Sequence, residues 1–191
     1  MTMKSFTTPT LLATLLMTSC AQNTSTPQEK FMQSLNALCG KSFAGKLVST
    51  DEVDTKTASL PMVMEVRECS DTQMRIPFHI GDNHSRTWII TKTDQGLRLE
   101  HQHNHENGHA DAVTLYGGDT TDIGTATHQN FPVNQFSKDM FVKEGLNVSV
   151  TNIWSIEISP TKYAYEMRRE GRQFRAEFDL TQTVATPPKP W

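Results

Sequence analysis

The chain has 191 residues, 36% of them hydrophobic and 20% charged, and a formal net charge of −3. Positive and negative side chains are interspersed without a basic stripe, which argues against a nucleic-acid partner, whose phosphates demand clustered Lys and Arg. Once the N-terminal segment is set aside, the length suits one domain with a full core.

The run Thr10–Met17 (TLLATLLM) has the length and apolarity of a signal-peptide core. It is too short to span a bilayer, which needs about 20 apolar residues. It leads into Met17-Thr18-Ser19-Cys20, which resembles a bacterial lipobox, with Met at a position where the pattern prefers Leu. The resemblance implies that residues 1–19 are removed and that Cys20 becomes an acylated N-terminus. Buried acyl methylenes contribute about 0.8 kcal/mol each, so several chains make a lasting membrane anchor. Ala21 in second place resembles lipoproteins sent to an outer membrane. The expected location is therefore the cell envelope, lipid-anchored and facing the periplasm. Removal of residues 1–19, whose one charged side chain is Lys4, shifts the net charge of −3 to −4. Residues 20–28 then form the lipidated cysteine and a small, polar, flexible tether.

Two cysteines remain, Cys39 and Cys69. In an oxidising compartment an even pair in a small domain points to a disulfide, the alternative being two buried thiols.

Beyond the tether, Gln28–Cys39 carries Phe31, Met32, Leu35 and Leu38 at helical spacing, between Pro27 and Gly40. This predicts a short amphipathic helix. The period then drops to two. Strands are expected over Ser42–Thr50, Leu60–Cys69, Thr72–Ile80, Arg86–Lys92, Leu97–His105, Ala110–Tyr116 and Thr125–Phe131. Pro77 lacks a ladder donor, which places its strand at an edge or at a bulge. Gly117-Gly118-Asp119 reads as a sharp turn. Asn134–Glu144 returns to helical spacing through Phe136, Met140 and Phe141, and the strands Val148–Ile158, Tyr163–Arg169 and Phe174–Leu180 follow. Residues 181–191, rich in proline, are expected to be loose.

About ten short strands, each apolar on one face, describe an antiparallel sheet that must bury that face, and closure into a barrel removes its exposed edges. The fold class is thus mainly β, a single antiparallel barrel over residues 29–180 with an N-terminal helix and one helix between late strands. A two-sheet sandwich permits the same alternation. In architecture the arrangement resembles the calycin superfamily of lipocalins and fatty-acid-binding proteins. The phrases CGKSFAGKLVS (39–49), MEVRECSD (64–71), IPFHIGD (76–82), SRTWII (85–90) and AVTLYGGDT (112–120) resemble those of an uncharacterised family of secreted bacterial proteins and lipoproteins. That resemblance transfers no activity.

Four of the seven histidines, His101, His103, His105 and His109, fall around Asn107-Gly108, a hairpin signal. On an extended strand Leu97, Leu99, His101, His103 and His105 share one face. His-x-His on a strand suits zinc or copper, so His101, His103 and His105 are candidate metal ligands. A two-residue turn would pair Asn104 with Asp111 and place His109 and Asp111 on the opposite face, so that they could complete the site only if the loop were longer. Against the metal stands the plain alternative of solvated or hydrogen-bonded imidazoles. His79, His84 and His128 are isolated.

No Gly-x-Ser-x-Gly elbow, phosphate loop or His-Glu-x-x-His helix occurs, which favours binding over catalysis. The leading expectation is a barrel that binds a small, partly apolar ligand against Met64, Met74, Phe78, Trp154, Tyr163 and Phe174. Arg86 beside Trp88 would be a polar anchor at the barrel base, with Tyr116 and Trp154 nearby. The alternatives are periplasmic metal binding and a structural envelope protein that recruits a partner.

Overall fold

The structure is a computed structural model that describes residues 1–3 and 25–191. The lipobox, Cys20 and the first part of the tether lie outside the described residues. Among the described residues no helix is long and apolar enough to cross a membrane.

The elements in chain order are α1 (Pro27–Asn36), β1 (Ser42–Leu47), a 3-10 turn (Glu52–Asp54), α2 (Thr55–Ala58), β2 (Met62–Glu65), β3 (Glu68–Cys69), β4 (Gln73–Ile80), β5 (Asn83–Thr93), β6 (Gly96–His103), β7 (Tyr116–Asp119), β8 (His128–Pro132), α3 (Gln135–Lys143), a second 3-10 turn (Asn147–Thr151), β9 (Ile153–Ile158), β10 (Lys162–Arg169) and β11 (Arg172–Asp179). Hydrogen-bonded neighbours run β7-β6-β5-β4-β2-β1-β11-β10-β9-β8, with β3 beside β4. Ten strands thus form a nearly closed antiparallel barrel. The seam lies between β7 and β8, where Gly118 bridges Val133 and the Asn134 N–H reaches the Gly117 carbonyl at 3.1 Å.

Gly117 and Gly118, expected to make a turn, are strand residues instead. A Cβ on Gly117 would run into the Leu99 carbonyl, and one on Gly118 into the carbonyls of Phe131 and Pro132. Their missing side chains therefore let β6 and β8 close on β7.

Alternation along each strand puts Met74, Ile76 and Phe78, then Trp88 and Ile90, then Leu97 and Leu99, into the interior, all 2% exposed or less. Helix α1 closes one end. It begins with a capping box, in which the Thr26 side chain accepts from the Glu29 N–H and the Glu29 carboxylate accepts from the Thr26 N–H, and Pro27 occupies the first turn. Phe31 and Leu35 are wholly buried, worth about 1.5–3 kcal/mol each. A Cys39–Cys69 disulfide then ties the segment after α1 to β3.

Two expected elements differ, while Pro77 takes the second of its two expected settings, an irregularity in the ladder and not an edge. Strand β4 pairs with β5 on one side and with β2 and β3 on the other, and Pro77 lies where β2 has ended and β3 has not begun, next to a register shift between Phe78 and Ile80. The missing N–H thus coincides with an interruption in the ladder. Residues 110–115, expected as a strand, form only the isolated bridge Asn104↔Ala110. Finally, residues 148–151 do not extend β9 but make the second 3-10 turn, with Val148 largely exposed.

The tail, expected to be loose, has no regular structure yet is held at two points. The Val184 N–H donates to the Ser42 carbonyl at 2.9 Å and the Trp191 N–H to the His84 carbonyl at 3.1 Å. The Asn104 side chain also donates to the Trp191 carbonyl at 2.7 Å, and the Trp191 ring meets His84 edge-on. In the sheet, β2 and β4 separate these anchors, and over the neighbouring stretch of wall the outward residues Pro77, His79, Thr87 and Ile89 are buried.

Candidate binding cavity

The barrel end opposite α1 is open. Turns of the chain rim it: Asp54 and Thr57 on one side, Leu146 and Ser149 on another, and Val113 from the long β6–β7 connection. Inside lies a cavity of about 370 Å³. It occupies only the upper part of the barrel. Met64, Met74 and Tyr163, expected to line a pocket, are fully buried in the packed part below, whereas Phe78, Trp154 and Phe174 reach the cavity.

The four residues suggested as ligand contacts, Arg86, Trp88, Tyr116 and Trp154, all line this cavity. Alternation on β5 sends Arg86 and Trp88 inward together. Trp88 is stacked between Phe78 and Tyr165, with ring centroids 4.5 and 4.4 Å away. Arg86 lies two residues nearer the open end, so it belongs to the mouth and not to the barrel base.

His101 and His103 point inward from β6 and also line the cavity, while His105 lies past the end of the strand and is exposed. His101 is fully engaged. Its Nδ1 is 3.1 Å from the Tyr116 carbonyl, which can only accept, so Nδ1 carries the proton. Its Nε2 therefore accepts from the Tyr165 hydroxyl at 2.8 Å. His103 Nε2 is 3.1 Å from the Tyr116 hydroxyl. Burial pushes the His101 imidazole down to about 3. Burial, followed by the Arg86 charge, brings His103 to about 4. Burial likewise raises the Tyr116 phenol to about 12 and holds the Tyr165 phenol well above its ordinary value. Near neutral pH both imidazoles are uncharged acceptors and both phenols are protonated donors.

This geometry bears on the suggested metal set. A metal on His101 would have to displace Tyr165 or the Tyr116 carbonyl from a buried ring. His105 is 3.9 Å from Asp111 at the surface, away from the other two. Among the described residues no group of three or more His, Cys, Asp or Glu side chains is arranged to hold a metal ion.

The Asn107-Gly108 loop is one residue longer than a two-residue turn. His105 and His109 close it by backbone bonds, the His105 N–H donating to the His109 carbonyl at 2.8 Å, and Gly108 takes φ +81°. Asn104 therefore faces Ala110, not Asp111. The chain then bulges through residues 111–115 before Tyr116 pairs with His101.

Residues not singled out from sequence complete the site. Tyr165, Met167 and Arg169 line it from β10, and Arg172 from the start of β11. Their signal was the inward alternation of Tyr163, Tyr165, Met167 and Arg169. The chain matches no protein-family model, no curated protein and no solved structure.

Proposed function

We propose that this chain is a lipid-anchored protein of a bacterial envelope whose barrel binds a small, partly apolar ligand without transforming it. One observation carries the reading. The barrel is plugged by α1 at one end and open at the other, and the open end holds a cavity of about 370 Å³ walled by Phe78, Trp88, Trp154 and Phe174. These rings supply the apolar part of a small-molecule site, and the many polar side chains that share the lining, Arg86, Tyr116 and Arg169 among them, can fix a ligand's orientation. The buried histidines are neutral and hydrogen-bonded, which suits a wall better than a proton-transfer or metal centre.

Purification from native envelopes followed by native mass spectrometry tests the binding. The expected result is a small molecule that leaves on denaturation. Protein that emerges empty, and takes up no apolar aromatic probe afterwards, ends the proposal. The anchor has its own test: labelled palmitate should enter the full chain and be lost in Cys20→Ser, and equal labelling of the two would refute it.

A further inference from the structure

Three arginines line the cavity, Arg86, Arg169 and Arg172, against the single carboxylate of Asp54. Arg172 is answered: its Nη1 lies 2.9 Å from Asp51 and 2.6 Å from Asp54. The other two have neutral partners. Arg86 donates Nη1 to Asn83 Oδ1 at 2.9 Å and Ser85 Oγ at 3.4 Å. Arg169 donates Nη1 to Asn152 Oδ1 at 3.1 Å and lies 3.7 Å from Met167 Sδ.

That is not how this protein treats its arginines elsewhere. Arg67, Arg75, Arg98 and Arg175 each meet a carboxylate within 4 Å. The remaining exception among the described residues, Arg168, is directed to Asn130 and Ser155, on the opposite face of β10 from Met167. A guanidinium stays charged at any ordinary pH, so two cations stand at the cavity without an ion-pair partner. Asp111, the nearby rim carboxylate, acts on the same His103 and Tyr116 rings as the Arg86 charge, but it pairs with neither arginine: it accepts from the Val113 N–H and lies 3.9 Å from His105.

The topology sets these two cations opposite each other. Strands β5 and β10 are five places apart in a ring of ten, hence on opposing walls. Yet the Trp88 and Tyr165 rings, which project from those walls, are 4.4 Å apart. The barrel is therefore narrow at this level, and Arg86, two residues beyond Trp88, and Arg169, four beyond Tyr165, rise from the two walls toward the open end. A guanidinium offers a planar fork of N–H donors that fits carboxylate and phosphate oxygens.

We propose that the cavity selects an anionic amphiphile, with its apolar body against Trp154 and Phe174 and its carboxylate or phosphate head held between Arg86 and Arg169. This rests on the reading of the cavity as a ligand site and adds the charge of the ligand to it.

Three probes with one body and different heads test it by calorimetry on the full-length protein: 2-naphthoate, 2-naphthyl phosphate and the neutral 2-naphthalenemethanol. Both anions should bind at least tenfold more tightly than the alcohol, and the tighter of the two identifies the preferred head. Arg86→Met and Arg169→Met should each weaken the anions about tenfold and leave the alcohol unchanged. Arg168→Met should change nothing. Alcohol binding reports an intact cavity in every variant, and if the methionine substitutions disturb it, Arg86→Gln and Arg169→Gln decide in the same way. Equal affinities for anions and alcohol, or anion binding that survives the double variant, overturn the charge assignment while leaving the cavity a ligand site. If none of the three binds, the cavity reading falls, and this inference with it.

Discussion

His101 is 4% exposed and uses both ring nitrogens, so its environment depends on one hydroxyl across the barrel. Tyr165→Phe removes that donor and leaves Nε2 buried without a partner. An orphaned buried acceptor costs about 1–3 kcal/mol, so chemical denaturation should show a loss of that size, and an unchanged midpoint would mean that water replaces the hydroxyl freely. Acid should act through the same kind of residue. Burial holds His101 at about 3, and burial followed by the neighbouring His84 charge holds His79 at about 4, like His103. In the unfolded chain these imidazoles begin to take up protons near pH 6.5. The unfolded state then binds more protons than the folded one, so this stability is whole above about pH 6.5. It is lost as pH falls toward 4, by up to about 1.4 kcal/mol per pH unit for each histidine. Melting temperatures at pH 7.5, 6.5 and 5.5 should descend over a range in which most carboxylates have not yet titrated, and a flat profile would contradict the assignment. Strand alternation alone places Leu97, Leu99, His101 and His103 on one inner face. The identity of His101's partner is not written locally, because Tyr165 is 64 residues away on a strand that only ring closure brings opposite.

Elements with a local cause were legible, and those decided by the rest of the molecule were not. Helix α1 declares itself through Pro27 and the spacing of Phe31, Met32 and Leu35. The segment Val148–Thr151 alternates like a strand, but it follows the end of α3 and finds no neighbour to pair with, so it coils into a 3-10 turn. Likewise the apparent second arm of the histidine hairpin is displaced by the bulge at 111–115, where Leu115 adopts φ +58°, a conformation costly for a side chain with a branched body. Two ties outside the ladder are expected to matter. The Cys39–Cys69 bond spans 30 residues, and closing such a loop restricts the unfolded chain by about 3–4 kcal/mol on the entropic account. A Cys39→Ser/Cys69→Ser protein should lose about that much in denaturant titration, and a loss below 1 kcal/mol would place the effect elsewhere. Deletion of residues 186–191 removes the Trp191 anchor. It should speed amide exchange on β4 and β5 more than on β9 and β10, whereas uniform exchange would show that the tail protects nothing.

At the scale of the molecule, the barrel is a cup and not a tube, filled through most of its depth and hollow only near the rim. A ligand of the folded state should stabilise it by mass action, by about 2.7 kcal/mol at a hundredfold excess over Kd. Thermal unfolding with saturating 2-naphthoate checks this, and an unmoved transition would mean that the probe binds no better to the fold than to the open chain. The overall class was readable because about ten half-apolar strands admit few burials. The narrowing that brings Trp88 onto Tyr165 was not, since strand patterns carry no record of cross-section.

The ring order has a consequence in time. Strand β1 takes β11 as its partner, with Gly45 opposite Phe178, so the first and last strands of the domain lie side by side. Pairing over such a separation in sequence is slow, because the loop must be closed before the contacts are gained. A chain that emerges N-terminus first, from a ribosome or through a membrane pore, lacks the strand that completes its wall until residue 179 is free. Until then β1 is an open edge, ready to pair with any strand that reaches it.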